Sequence, residues 1–305
     1  MKFAAIDIGS NAIRLLFANV YEGKDEPNFK KADLIRIPLR LGEDAFLNKK
    51  ISYEKTEKLI MAMKAFRQLI DFYEVEDYKA CATSAMREAS NSKEIIDRIW
   101  KEATINVEII DGKTEAQIIY SNHVAEHLDS ENNYLYIDVG GGSTELTIFS
   151  QGKIVASKSF NIGTIRILNQ LVTKDHWDGM KEWITKKTAD VRPLVAIGSG
   201  GNINKIFKMS RKKQNRPMSY DKLKELYDFL ASYSLKDRIE VLGLNPDRAD
   251  VIVPAGRAFL TVMKTAQIER LFVPQIGMAD GLIHLLYENY MVKRGNKLQF
   301  ASAEQ

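Results

Sequence analysis

The chain has 305 residues, 45% hydrophobic and 28% charged, with a net charge of +4 and a single cysteine. That length allows about two domains, each with its own core. The mild positive charge fits an anionic ligand and argues against a dedicated nucleic-acid binder, while one cysteine excludes an internal disulfide.

The first predicted element is a hairpin over 3–20, two apolar runs flanking Asp7 and the turn Gly9-Ser10-Asn11. Asp7, Asn11 and Arg14 make this run too polar for a signal core or a membrane span, and no other segment reads as either. A polar loop over 21–28 leads to a strand over 32–40, with Leu41-Gly-Glu43 turning out of it. Leu59, Met63, Phe66 and Ile70 recur at helical spacing and predict a helix over 52–72. The strand over 78–82 holds Cys81 in an apolar run, the setting of a core thiol rather than a nucleophile. It leaves into Thr83-Ser-Ala-Met-Arg87. Arg87 stands where open α/β sheets place ligands, and its guanidinium suits a phosphate, though Glu88 or Glu94 would serve it equally as ion-pair partners.

After a strand over 107–110, Asp111-Gly112 breaks the run and Thr114-Glu-Ala-Gln117 has the form of a capping box. Glu115 then falls in a first helical turn, where a carboxylate favours the macrodipole. His123 and His127 follow at i, i+4 without the zinc-protease pattern, so a solvated helix face is expected. The stretch Tyr134 to Phe149 repeats the N-terminal layout: a strand closing on Asp138, the turn Gly140-Gly-Gly-Ser143, then a strand with Glu145. Glycines let backbone N–H groups approach an anion, and two carboxylates at the lip suit a Mg²⁺-bound phosphoryl group. Taken alone, an ordinary glycine-rich hairpin with two surface acids has the same sequence. The matching Asp-Ile-Gly at Asp7 turns the motif into a duplication at domain scale.

A strand over 153–160 and a helix over 165–171 come next. A third glycine turn, Gly200-Gly201, follows an apolar strand from Leu194. The stretch Lys205 to Arg216 then holds six basic residues and no acid, as a solvated loop or as a landing strip for a polyanionic tail would. Helices are predicted from 219, over 235–242 and over 251–259, where Ala255 and Gly256 permit close packing and Arg257 serves structure. A last strand over 269–273 precedes a terminal helix from 279 and a loosely ordered tail from 293. Three glycine loops, two with a preceding aspartate, predict two related α/β halves, 1–122 and 123–305, facing each other across a phosphate-binding cleft.

The blocks Ala5-Ile-Asp-Ile-Gly-Ser-Asn11, Ala82-Thr-Ser-Ala-Met-Arg87, Ile109-Ile-Asp-Gly-Lys-Thr-Glu-Ala116, Ile137-Asp-Val-Gly-Gly-Gly-Ser-Thr-Glu145 and Asn245-Pro-Asp-Arg-Ala-Asp-Val251 occur in this order. Together they resemble the exopolyphosphatase and guanosine pentaphosphate phosphohydrolase (Ppx/GppA) family, within the acetate and sugar kinase, Hsp70 and actin superfamily. The resemblance implies two duplicated actin-like, ribonuclease H-like domains and hydrolysis of phosphoanhydrides in inorganic polyphosphate or guanosine pentaphosphate. It implies Glu115 as the base that orients water and Arg87 on the phosphoryl oxygens. It also implies Gly9, Ser10, Asn11, Gly140, Gly141, Gly142, Ser143, Gly200 and Gly201 as phosphate-binding. Asp138, Glu145 and Asp7 are the expected ligands of Mg²⁺, with K⁺ a further candidate ion. A homodimer, a cytoplasmic location and no membrane or nucleic-acid partner are expected. Longer members add a C-terminal helical domain, so a preference for shorter chains is expected here. The sequence departs from the family at Ile283-His284, where members often carry Arg-Glu. Two rival readings are an acceptor-dependent kinase of the superfamily and a non-catalytic sensor of polyphosphate or alarmones.

Overall fold

The computed structural model describes residues 1–23, 26–120, 132–213 and 216–303, with the backbone alone for 116, 119–120 and 296–303. His123, His127 and the expected boundary at 122/123 lie outside the described residues. Two compact units form. One comprises Met1–Ile110, Gln117–Asn122 and Met278–Gln305, and the other Asp111–Ala116 and His123–Gly277. The C-terminal helix thus belongs with the N-terminal sheet, unlike the expected division into 1–122 and 123–305.

The first unit opens with β1 (Lys2–Ile8), β2 (Ile13–Tyr21) and β3 (Asn28–Ile37), then α1 (Leu41–Asn48), α2 (Tyr53–Phe72) and β4 (Asp77–Ala82). It continues through α3 (Ser84–Glu88), α4 (Ser92–Ala103) and β5 (Val107–Ile109), and α5 (Gly112–Tyr120) follows. The sheet order is β3-β2-β1-β4-β5, with β1, β2 and β3 antiparallel and β1, β4 and β5 parallel. β1 is apolar at nearly every position because it lies at the centre and is covered on both faces, and only Asp7 interrupts it. Cys81 is buried in β4 as a core thiol.

The second unit repeats the plan. It contains β6 (Asn133–Val139), β7 (Thr144–Ser150), β8 (Lys153–Phe160), α6 (Thr164–Leu168), α7 (Lys174–Thr188), β9 (Leu194–Ser199) and α8 (Gly201–Met209). Then come β10 (Met218–Ser219), α9 (Tyr220–Ser232), α10 (Leu235–Glu240), α11 (Pro246–Ala249), α12 (Ile252–Ala266) and β11 (Arg270–Phe272), and α13 (Met278–Ala303) ends the chain in the first unit. The second sheet runs β8-β7-β6-β9-β11-β10, the order of the first with one short strand added. Even the irregularities coincide. The β2–β3 pairing slips at Phe17/Ala18 and the β7–β8 pairing at Ile148/Phe149, the same offset that separates Asp7 from Asp138. The duplicated α/β architecture implied by the sequence is therefore present.

Ile252, Phe259, Val262 and Met263 of α12 are fully buried in the core of the second unit. Each such side chain is worth about 1.5–3 kcal/mol relative to exposure. Gly256 faces Tyr227 so closely that a Cβ would lie 2.9 Å from the ring, and the Arg257 guanidinium stacks 5.0 Å from the Trp177 ring centroid, a structural place. In the first unit, His284 stacks on Phe29 at 3.6 Å and Ile283 is buried, so the departure from the family pattern is spent on packing.

Three local expectations need correction. Residues 41–48 form a helix, not a simple turn, because Leu41, Ala45 and Phe46 recur at helical spacing and are buried on one face. Asp111, not Thr114, caps α5: it precedes the first helical residue, Gly112, and its Oδ1 accepts from the Thr114 N–H at 2.7 Å, which places Thr114 inside the first turn. The last segment continues as helix to Ala303, and Arg294 pairs with Glu22 at 2.9 Å.

Candidate functional site

The glycine turn of the second unit is held from behind. The carbonyls of Gly140 and Gly141 accept from the N–H groups of Thr164 and Ile165, both at 2.9 Å, and that of Gly142 accepts from Arg166 Nε at 2.7 Å. A trans peptide points the next N–H opposite to its carbonyl. With three carbonyls turned toward α6, the N–H groups of Gly141, Gly142 and Ser143 point away from it, and among the described residues none has a backbone acceptor. Successive N–H groups turned to one side are what an anion cradle is made of. Gly140, expected among them, instead closes the turn by donating to Ser143 at 2.9 Å. Gly163 makes the arrangement possible, since a Cβ there would lie 2.3 Å from the Gly141 carbonyl oxygen.

The first unit builds its loop the same way from different residues. Gly9 donates to Ala12 at 3.2 Å, so its N–H also closes a turn. The carbonyls of Ser10 and Asn11 accept from Gly42 and Arg40 at the start of α1, which turns the N–H groups of Asn11 and Ala12 outward. Ser10 is buried, its hydroxyl 2.9 Å from that of Ser84. Arg87 lies in α3 and donates through Nη1 to the Ile110 carbonyl at 2.7 Å. One of its five donors is thus used to fix the strand end that leads to Asp111.

The two units diverge at one register position. In the first, Asp7 faces Arg14 across β1 and β2, and Arg14 Nη1 donates to Asp7 Oδ2 at 2.6 Å. A carboxylate so matched has its charge answered, and Asp7, expected among the metal ligands, is held in that pair. In the second, Asp138 faces Glu145 across β6 and β7. Acids directly opposite one another destabilise a strand pair, and Glu145 is only 2% exposed, with Ser159 Oγ donating to its Oε1 at 2.9 Å. Hard carboxylate oxygens at the lip of an anion cradle fit Mg²⁺, which takes one or two carboxylates and completes its shell with phosphate oxygens and water. No group of three or more His, Cys, Asp or Glu gathers as a metal cluster among the described residues.

Glu115 reaches the same neighbourhood. Residues Asp111–Ala116 pack in the second unit, and a Cβ on Gly112 would lie 2.8 Å from Ser159 Cβ and 3.5 Å from Glu145 Oε1. The start of α5 therefore sits directly on the Glu145–Ser159 face. Gly200, at φ 108° where only glycine is at ease, brings its backbone to Asp138, since a Cβ there would be 3.1 Å from Oδ1. Gly201 begins α8 at that point.

Sequence reasoning passed over four residues here. Arg14 was legible as the counterpart of Glu145, because both stand at one spacing after the motif aspartate. Gly163 and Arg166 carry no local signal, since their role is to hold a loop distant in sequence. Tyr136 shares its sheet face with Asp138 and is 4% exposed. Burial, then the charge of Asp138, pushes its phenol well above the usual tyrosine range. Ser199 stands beside it, yet that hydroxyl donates to the Ile276 carbonyl at 3.0 Å, and Tyr136 Oη forms no well-shaped hydrogen bond among the described residues.

Residues 33–289 match the model of the Ppx/GppA phosphatase family. The chain is 30% identical over 277 residues to a bifunctional 3-dehydroquinate synthase/phosphatase of Fusobacterium nucleatum, covering 82% of this chain but only 41% of that protein. It is 24% identical to a putative exopolyphosphatase of Haemophilus influenzae, covering 95% of this chain and 93% of the other. Among solved structures, an exopolyphosphatase from Cytophaga hutchinsonii superposes with a TM-score of 0.82 at 26% identity, covering 95% of this chain and 98% of that one. No described helix is long and apolar enough to cross a membrane.

Proposed function

Because the chain belongs to the Ppx/GppA phosphatase family, we propose that it is a metal-dependent exopolyphosphatase that releases orthophosphate from the end of inorganic polyphosphate. The observation that carries this reading is the cradle of Gly141, Gly142 and Ser143 with opposed carboxylates, Asp138 and Glu145, at its lip. The three N–H groups hold the oxygens of the terminal phosphoryl group, and being fixed from behind they need no reorganisation as charge develops. Asp138 and Glu145 would hold the divalent cation, which would offset charge on the phosphate oxygens. Glu115 orients a water molecule and takes its proton as the water oxygen bonds to phosphorus and the bridging P–O bond breaks. Catalysis then rests on positioning and electrostatics, as phosphoryl transfer generally does.

The test is a phosphate-release assay with polyphosphate, guanosine pentaphosphate and ATP, each with and without Mg²⁺. The proposal predicts orthophosphate from polyphosphate, dependent on Mg²⁺ and on no acceptor. A higher kcat/KM for guanosine pentaphosphate would transfer the activity to the alarmone. ADP formed only when an acceptor is supplied would make the protein a kinase, and tight binding without phosphate release would make it a sensor.

A further inference from the structure

α8 carries an unbalanced stripe of positive charge that the proposed chemistry does not use. Its inner face is Ile203, Ile206 and Phe207, all buried. Gly201, Lys205 and Lys208 follow one another at i, i+4 and i+7 on the opposite face. Arg211, Lys212 and Lys213 are exposed just past the helix end, and no acid occurs between Gly201 and Lys213. Among the described residues, none of these five cations makes an ion pair, whereas on neighbouring α9 Lys222 pairs with Glu225 and Lys224 with Asp228, both at 2.6 Å. Complementing the helix macrodipole accounts for Lys208 in the last turn but not for Lys205 in the middle or Lys213 beyond the end. Like charges spaced this way repel, a standing cost of a few tenths of a kcal/mol per pair.

The stripe starts at the site. α8 begins at Gly201, beside the Gly200 backbone that abuts Asp138, and its nine residues extend about 13 Å from there. We propose that the outward face of α8 is a rail for the distal phosphates of a linear polyphosphate whose end lies at the Asp138 loop. This deepens the exopolyphosphatase reading and rests on it for the identity of the chain.

The chemistry matches at each point. A polyphosphate carries charge on every unit and has no shape to read, so compact, mobile lysine point charges suit it better than a fixed bidentate geometry. A nucleotide gathers its phosphates at one end and cannot follow the helix. Single-stranded nucleic acid needs aromatic platforms for its bases, and the aromatic residue of α8, Phe207, is buried. Affinity should rise with chain length until the tail covers the stripe and then level off, in place of the preference for short chains expected from chain length alone.

The experiment compares wild type with the triple variant Lys205→Gln/Lys208→Gln/Lys212→Gln, whose exposed or half-buried positions leave the core intact. Binding of long-chain polyphosphate and of tripolyphosphate is measured by calorimetry in EDTA over a salt series, and KM and kcat with Mg²⁺. The rail predicts that the variant binds long chains about tenfold or more weakly, with a log K against log salt slope shallower by about 2, at roughly 0.7 per cation removed. Tripolyphosphate affinity and both kcat values stay unchanged. Unchanged long-chain affinity, or an equal loss for tripolyphosphate, overturns the rail. Binding that responds to the variant while wild type releases no phosphate upholds the rail and overturns the catalytic reading instead. An RNA oligonucleotide that displaces polyphosphate at equal concentration overturns the assignment of the occupant.

Discussion

The two halves of this protein share the order of five strands and even the position of a strand slip, yet at one register position they carry side-chain pairs of different charge. Asp7 meets Arg14 in the first half, and Asp138 meets Glu145 in the second. The backbone framework is therefore common property, and the charge carried across it decides what each half can do. The first half is complete as it stands, with its carboxylate neutralised. The second sets two acids opposite one another, next to three outward N–H groups. On the proposed reading, a metal-bound phosphate would satisfy both at once.

The largest effect should follow from Glu115→Gln, which keeps shape and the start of α5 but removes the base. We expect normal folding and a kcat lowered by about 10²–10⁴, measured as phosphate release from polyphosphate. A full-rate variant would remove Glu115 from the chemistry and leave the comparison resting on the carboxylate pair alone. Next comes Gly163→Ala, which drives a methyl into the backbone of Gly141 and Gly142. Thermal unfolding should show a loss of about 1–3 kcal/mol, and phosphate release should fall because the cradle must shift.

Arg14→Met probes the other half. Asp7, 5% exposed, would lose the partner that answers its charge. A fully buried pair would lose about 3–5 kcal/mol; with the Arg14 side chain 31% exposed, about 1–3 kcal/mol in denaturant unfolding is expected. Tyr136→Phe should have the smallest effect. The folded-state pKa of this phenol is raised, so the stability it contributes is intact below the usual tyrosine pKa. Above it the unfolded chain ionises while the buried phenol does not, and stability falls as pH rises through the folded pKa. Wild type should therefore lose up to about 1.4 kcal/mol per pH unit more than the variant above pH ~10, in urea unfolding across that range. Equal alkaline slopes would show that the phenol is not held protonated.

The duplication and the three loops could be read from the sequence because glycine turns after apolar strands are local patterns. So could the lip carboxylates, which stand at fixed distances from the glycines. The identity of the donors could not. Whether Gly140 or Gly141 offers its N–H depends on where the preceding carbonyl points, and that is set by Thr164, Ile165 and Arg166 across the chain. The cap on α5 was misplaced because Thr114-Glu-Ala-Gln117 satisfies a pattern that Asp111 satisfies better by geometry. The grouping of α13 with the first sheet was beyond reach for the same reason, since a helix carries no mark of which sheet covers its apolar face.

The pair of opposed acids is tested most directly by melting wild type and Glu145→Gln with and without Mg²⁺. Ligand bound to the folded state raises stability by RT ln(1 + [L]/Kd), so a melting shift reports the site itself, without turnover. The account predicts that Mg²⁺ raises the Tm of wild type, while Glu145→Gln gains little from Mg²⁺. A wild-type Tm indifferent to Mg²⁺, or a variant that gains as much as wild type, would contradict it.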